Sequence, residues 1–189
     1  MLAVALRLIE QHRRSRSHLL VAIDGGGGAG KSTLARNLAD ALGDGTIVQM
    51  DDFYRPMPAA ERAALTPGEG VDRYFDWQRL RDSVLRPLRR GATARYRRYD
   101  WETGAIAGDA VEVIPSGVIL IEGVYSLRRE LRDLYDLTIF VDAPAELRHR
   151  RMAGRAENPD IWIDRWMAAE NCYLERHRPQ AGASLIWPG

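Results

Sequence analysis

A run of glycines ends in the chain's one lysine. Gly25, Gly26, Gly27, Gly28, Ala29, Gly30, Lys31 and Ser32 fit the pattern G-x-x-x-x-G-K-[ST]. Backbone N–H groups without side chains in the way can curl around a phosphate, and a helix beginning at Lys31 would add the partial positive charge of its N-terminus. In such a loop the lysine reaches β- and γ-phosphates, and the hydroxyl of Ser32 is placed to ligate Mg²⁺. Residues Gly25 to Thr33 are therefore the expected nucleotide contacts. All other basic residues are arginine, so the single lysine falls at the one position where this chemistry requires it.

Phosphoryl transfer also needs acids and mobile positive charge. Asp51-Asp52-Phe53-Tyr54 follows an apolar run, and an acid placed there can accept the proton of an attacking hydroxyl. Two further apolar runs end in carboxylates, Glu122 and Asp142, and either could stand on the metal side. Arg148, Arg151 and Arg155 are spaced to share one face of a helix, a stripe able to close over a triphosphate and stabilise charge on the transferred group.

These residues must be held by strands and helices, and the hydrophobic pattern supplies both. Leu2 to Arg13 has apolar residues at helical spacing, His18 to Asp24 is a buried strand running into the glycines, and a helix is expected from Lys31 to about Leu42. Thr46 to Met50, Val118 to Glu122, Leu137 to Asp142 and Ser184 to Trp187 read as further strands, giving five in the core. Pro56 to Gly70 is loop-like with a short helix at Ala59 to Ala64. Asp76 is a plausible N-cap for a helix reaching Arg90, residues 94 to 114 form a hairpin-like β excursion, and helices cover Pro144 to Gly154 and Asp160 to His177. Alternating strands and helices imply an α/β chain with a parallel sheet.

At 189 residues, 46% hydrophobic and 28% charged, the chain suits a single domain over 1–189. A net charge of +1 offers no excess for a nucleic acid or an anionic membrane. No apolar run approaches the roughly 20 residues of a membrane helix. With Cys172 as the one cysteine, no intramolecular disulfide or multi-cysteine zinc site can form, and a reducing cytoplasm is expected. The guanine-reading sequence N-K-x-D needs a second lysine, which excludes a guanine-specific switch of that type.

Taken with the glycine loop, Asp51-Asp52-Phe53-Tyr54, Tyr99-Asp100-Trp101, Ile121-Glu122-Gly123 and Ile139-Phe140-Val141-Asp142 resemble, in order and spacing, the uridine kinase branch of the phosphoribulokinase/uridine kinase family. That resemblance implies a P-loop NTPase fold with a five-stranded parallel sheet flanked by helices and a helical lid. It also implies ATP and Mg²⁺ as co-substrates, and phosphorylation of a nucleoside 5′-hydroxyl, with uridine or cytidine as acceptor. It assigns Asp51 as general base beside Lys31, favours Glu122 over Asp142 for the metal, and makes Arg151 and Arg155 lid residues. For the acceptor it points to Asp51, Tyr54, Tyr99, Arg155 and an acid before the next helix. Asp72 is preferred to Asp76 for that acid because Asp76 has the competing task of capping.

Two positions depart from the family's pattern: Glu102-Thr103-Gly104-Ala105 stands where a histidine is frequent, and Ala156 where an aspartate follows the last lid arginine. A kinase of another small alcohol (pantothenate, nicotinamide riboside or a sugar) is the alternative, followed by a non-kinase ATP-binding regulatory protein. The sequence leaves room for a homo-oligomer.

Overall fold

The computed structural model describes residues 1–14, 16–154 and 160–189, the side chains at 160 and 161 excepted. In chain order the elements are α1 (Leu2–Arg13), β1 (His18–Asp24), α2 (Lys31–Leu42), β2 (Gly45–Gln49), a 3₁₀ turn over Met50–Phe53, α3 (Ala59–Ala64) and α4 (Pro67–Arg73). A continuous helical segment follows, from α5 (Trp77–Leu80) through a π turn at Arg81–Leu85 into α6 (Arg86–Arg89). Then come β3 (Ala94–Asp100), β4 (Ala105–Val113), β5 (Gly117–Glu122), β6 (Leu137–Asp142), α7 (Ala145–Ala153), α8 (Asp160–His177) and β7 (Leu185–Pro188).

Five strands pair in parallel in the order β2-β5-β1-β6-β7. Their apolar runs are continuous because both faces are covered. Leu20, Ala22, Ile119 and Ile121 pack on one side against Leu80, Val84, Leu85 and Leu88 of the π-containing helix. Leu19, Val21, Ile23, Val118 and Leu120 pack on the other against Ala5 and Ile9 of α1 and Leu34, Ala35 and Leu38 of α2. Each fully buried Leu, Ile or Val contributes about 1.5–3 kcal/mol, so this sandwich provides the rigidity on which the loops depend.

The register decides where chemistry can occur. Ile23 of β1 and Gln49 of β2 both lie opposite Glu122 of β5, so three strands end level with one another. From β1 the chain crosses to β2 on one side, and from adjacent β5 to β6 on the other. A crevice therefore opens between the carboxyl ends of β1 and β5, the position where open parallel sheets bind ligands.

The expected hairpin is present as β3 and β4, a separate antiparallel pair with an irregularity between Arg97 and Tyr99. It docks through Tyr96, whose ring stacks on Phe53 at 4.9 Å. Two expectations need correction. Residues Pro67–Arg73, read as loop as far as Gly70, form α4, started by a capping box between Thr66 and Glu69 with Pro67 in the first turn. Met50, read as the end of β2, belongs to the 3₁₀ turn. Among the described residues no helix is long and apolar enough to cross a membrane.

Candidate active site

At the crevice lies a cavity of about 560 Å³. Gly27, Lys31, Ser32, Asp51, Glu122 and Glu170 line one part of it, and Tyr54, Tyr74, Phe75, Trp101, Tyr125 and Trp166 line another. A polar end built for anions and metal thus adjoins an aromatic end able to hold a flat or apolar group.

The polar end is built from the ends of β1, β2 and β5. Gly30 adopts φ 103°, a conformation open to glycine, and α2 begins at the next residue. Lys31 is buried, and its Nζ donates to the Gly26 carbonyl at 2.9 Å. At the next residue of α2, the Ser32 hydroxyl donates to Oε1 of Glu122 at 3.0 Å. Burial pushes the Glu122 carboxyl above the usual range, opposed by the Lys31 charge and reinforced by Asp51. A hydroxyl and a carboxylate side by side are hard oxygen donors of the kind Mg²⁺ takes, with water and phosphate completing its shell. Asp142 ends β6 on the far side of β1, is exposed, and does not line the cavity.

Asp51 and Asp52 face different ways. Asp51 lines the cavity, whereas Asp52 is buried against the hairpin, accepting from the Tyr96 hydroxyl at 2.8 Å with Arg98 Nε at 3.4 Å. Burial raises its carboxyl, which those partners oppose. The divergence comes from the 3₁₀ turn, where successive side chains are about 120° apart, not from strand alternation.

At the aromatic end, Tyr54 is 1% exposed, and its ring lies 4.7 Å from Trp101, 5.1 Å from Phe75 and 5.3 Å from Tyr99. Burial pushes its hydroxyl up to about 12; the Trp166 indole N–H faces it without reaching hydrogen-bond geometry. Tyr99, expected to touch the acceptor, stands behind Tyr54 and Trp101 and does not line the cavity; Trp101 does.

Asp72 also departs from expectation. Its carboxylate is held by Arg128 at 3.3 Å and Arg176 at 2.9 Å, and it is not among the lining residues. Arg128, in the loop after β5, and Arg176, on α8, hold it outside the crevice lining. Asp76 caps α5 by accepting from the Arg79 N–H at 3.0 Å. Thr33 is exposed on α2, outside the cavity lining.

Of the arginine stripe, Arg151 donates to the Gly28 carbonyl at 3.2 Å, and Arg148 is buried in a 2.8 Å ion pair with Glu170. Arg148 therefore backs the loop as an already paired charge instead of standing open. Arg155 and the departure at Ala156 lie outside the described residues.

Sequence reasoning missed Asp24 and Glu170. Asp24 is fully buried and accepts from Gly25 N–H at 2.6 Å, Leu127 N–H at 2.7 Å and the Tyr173 hydroxyl. Glu170 accepts from Gly27 N–H at 2.9 Å. A signal for Glu170 exists: Ile163, Trp166, Glu170, Tyr173 and His177 recur at helical spacing, and an acid on a core-facing stripe needs a partner.

A parallel sheet whose first strand delivers a glycine loop and lysine, with carboxylates from the next two strand ends beside them, defines a P-loop small-molecule kinase. The chain belongs to the Phosphoribulokinase / Uridine kinase family, whose model matches residues 20–159. It is 34% identical over 140 residues to a uridine kinase of Halobacterium salinarum (strain ATCC 700922 / JCM 11081 / NRC-1), covering 71% of this chain and 61% of that protein's length. It is 33% identical over 170 residues to a uridine kinase of Chlamydia pneumoniae, covering 85% and 73%. A solved structure from Silicibacter sp. TM1040, provisionally described as a fructose transport system kinase, superposes with TM-score 0.78 at 26% identity, covering 100% of this chain and 99% of that one.

Proposed function

We propose that this chain transfers the γ-phosphoryl group of ATP, with Mg²⁺, to the 5′-hydroxyl of a nucleoside, uridine or cytidine. The observation that carries this reading is one cavity with the phosphate loop, Asp51 and Glu122 at one end and aromatic walls at the other. The relatives described as uridine kinases support the acceptor.

In this reading the loop amides and Lys31 hold the phosphates, and Ser32 and Glu122 hold Mg²⁺ directly or through water. Mg²⁺, when bound, neutralises charge on the phosphate oxygens. Asp51 accepts the acceptor's hydroxyl proton as that oxygen bonds to phosphorus and the bond to the ADP oxygen breaks. Arg151 stabilises the developing charge, and Arg155 is assigned to the same task from the sequence alone. Tyr54 and Trp101 support the acceptor's ring, with Tyr99 behind them.

A sugar or another small alcohol is the second reading. It is favoured by Asp72 being turned towards Arg128 and Arg176 and by the likeness to the Silicibacter structure. Acceptor-dependent ADP release, screened over uridine, cytidine, pantothenate, nicotinamide riboside and fructose, separates the two. Stimulation by uridine or cytidine is expected; stimulation by fructose alone would retain the kinase and replace the acceptor.

A further inference from the structure

The phosphate loop already holds an anion of the protein's own. Glu170 of α8, its side chain 6% exposed, takes Gly27 N–H on Oε1 at 2.9 Å and Arg148 Nη1 on Oε2 at 2.8 Å. The loop's glycines admit this pair to the backbone. A Cβ at Gly26 would fall 2.0 Å from Arg148 Nη1, and one at Gly27 would fall 3.0 Å from Glu170 Oε1 and 2.6 Å from Met152 Sδ. Their lack of side chains serves packing by α7 and α8 as well as any phosphate.

The charges around the cavity single Glu170 out. Among the described residues three carboxylates line it, Asp51, Glu122 and Glu170, against one cation, Lys31. A triphosphate entering that space meets repulsion from each carboxylate that lacks a compensating task. Glu122 shares a hydroxyl with the metal-side Ser32, and Asp51 faces the acceptor. Glu170 has each of its two oxygens engaged by a donor of the protein. What it does occupy is one N–H of an anion-binding loop and a guanidinium, the two kinds of group a phosphate would use.

We propose that Glu170 is a resident counter-anion of the phosphate loop: it holds Gly27 and Arg148 while the site is empty, and the bound polyphosphate displaces it and takes over both donors. The residue thereby sets polyphosphate affinity, and this rests on the reading of the loop as a nucleotide site. Trp166, one turn earlier on α8 and lining the same cavity, supplies a fluorescence signal.

The test is equilibrium binding of inorganic tripolyphosphate, and of the non-hydrolysable analogue AMP-PNP with Mg²⁺, to the wild-type chain and to Glu170→Gln. Loss of the competing charge is expected to tighten both by about tenfold, the scale of a like charge removed a few ångströms from an anion in a part-wet site. The gain should shrink as salt is raised. Unchanged or weaker binding, with only a lower melting temperature, would make Glu170 a structural strut and overturn the proposal while leaving the kinase reading intact. If the wild type binds neither probe, the nucleotide site itself is wrong. Should Glu170→Gln fail to fold, a crystal structure of the wild type with Mg²⁺ and AMP-PNP decides. Gly27 N–H and Arg148 on phosphate oxygens, with Glu170 withdrawn, is the expected result; an unbroken Glu170–Gly27 hydrogen bond overturns it.

Discussion

At the scale of single residues, adjacent aspartates with opposite surroundings offer the sharpest test of chemistry. Asp51 borders the cavity, while Asp52 is tied to Tyr96 and Arg98 beneath the hairpin. Asp51→Asn keeps the size of the side chain and removes its basicity, so kcat is expected to fall by about 10² to 10⁴, with little change in nucleotide affinity because the loop amides and Lys31 carry the phosphate contacts. Asp52→Asn should leave kcat within a few-fold and lower the urea midpoint instead. A larger kcat loss at Asp52 than at Asp51 would show the turn presenting its other side to substrate. That both acids belonged near the site was legible in the sequence. That they face opposite ways was expected too, but from strand alternation; the 3₁₀ turn that produces it starts at Met50, the residue read as the strand's last, and leaves no pattern of its own in the sequence.

At the scale of elements, the hairpin is held to the body by Ala94, Tyr96 and Val113 in the core and by the Tyr96 and Arg98 contacts with Asp52, and these are open to measurement. The Tyr96 hydroxyl donates to Asp52 at 2.8 Å in a buried hydrogen bond, and its ring stacks on Phe53. Tyr96→Phe keeps the stack and leaves one Asp52 oxygen short of a donor, a cost of about 1–3 kcal/mol. Urea unfolding should report that loss, and the binding of AMP-PNP should not change. Equal stability of the two proteins would mean that Arg98 alone satisfies the carboxylate.

Elements like this hairpin were readable because alternation and glycine punctuation are local signals. The core strands were readable because two-sided burial leaves uninterrupted apolar runs such as Val118 to Ile121. Asp76 was likewise placed correctly as a cap. The surroundings of Asp72 and Tyr99 were not readable, for the opposite reason. Asp72 is drawn off by Arg128 and Arg176, 56 and 104 residues away in sequence, and Tyr99 is screened by Tyr54 and Trp101. Partners that distant leave no periodicity to read.

At the scale of the whole molecule, Asp24 joins parts of the chain that share no local signal. Its carboxylate ties the first residue of the phosphate loop to Leu127 after β5 and to Tyr173 on α8, so three separate segments meet on one buried charge. Three donors and Lys31 favour its ionised form, but complete burial outweighs them and raises its pKa from 3.8 to about 6. The direction of the pH effect follows from proton binding. Between those two values the folded chain holds a proton at Asp24 that the unfolded chain has released, so this residue's contribution to stability declines as pH rises through the window. Below the lower value the penalty is absent; above the upper it is complete, and a shift of this size corresponds to about 3 kcal/mol. Burial raises Glu122 and Glu170 in the same direction, so the wild-type profile alone does not isolate Asp24. The difference between wild type and Asp24→Asn does, because the other groups titrate in both. Urea unfolding of the two proteins from pH 4 to pH 7 should show the wild type losing stability relative to the variant as pH rises, with the change concentrated between about pH 4 and 6. Parallel curves would show that the donors from Gly25, Leu127 and Tyr173 hold Asp24 ionised throughout and that its burial carries no titration.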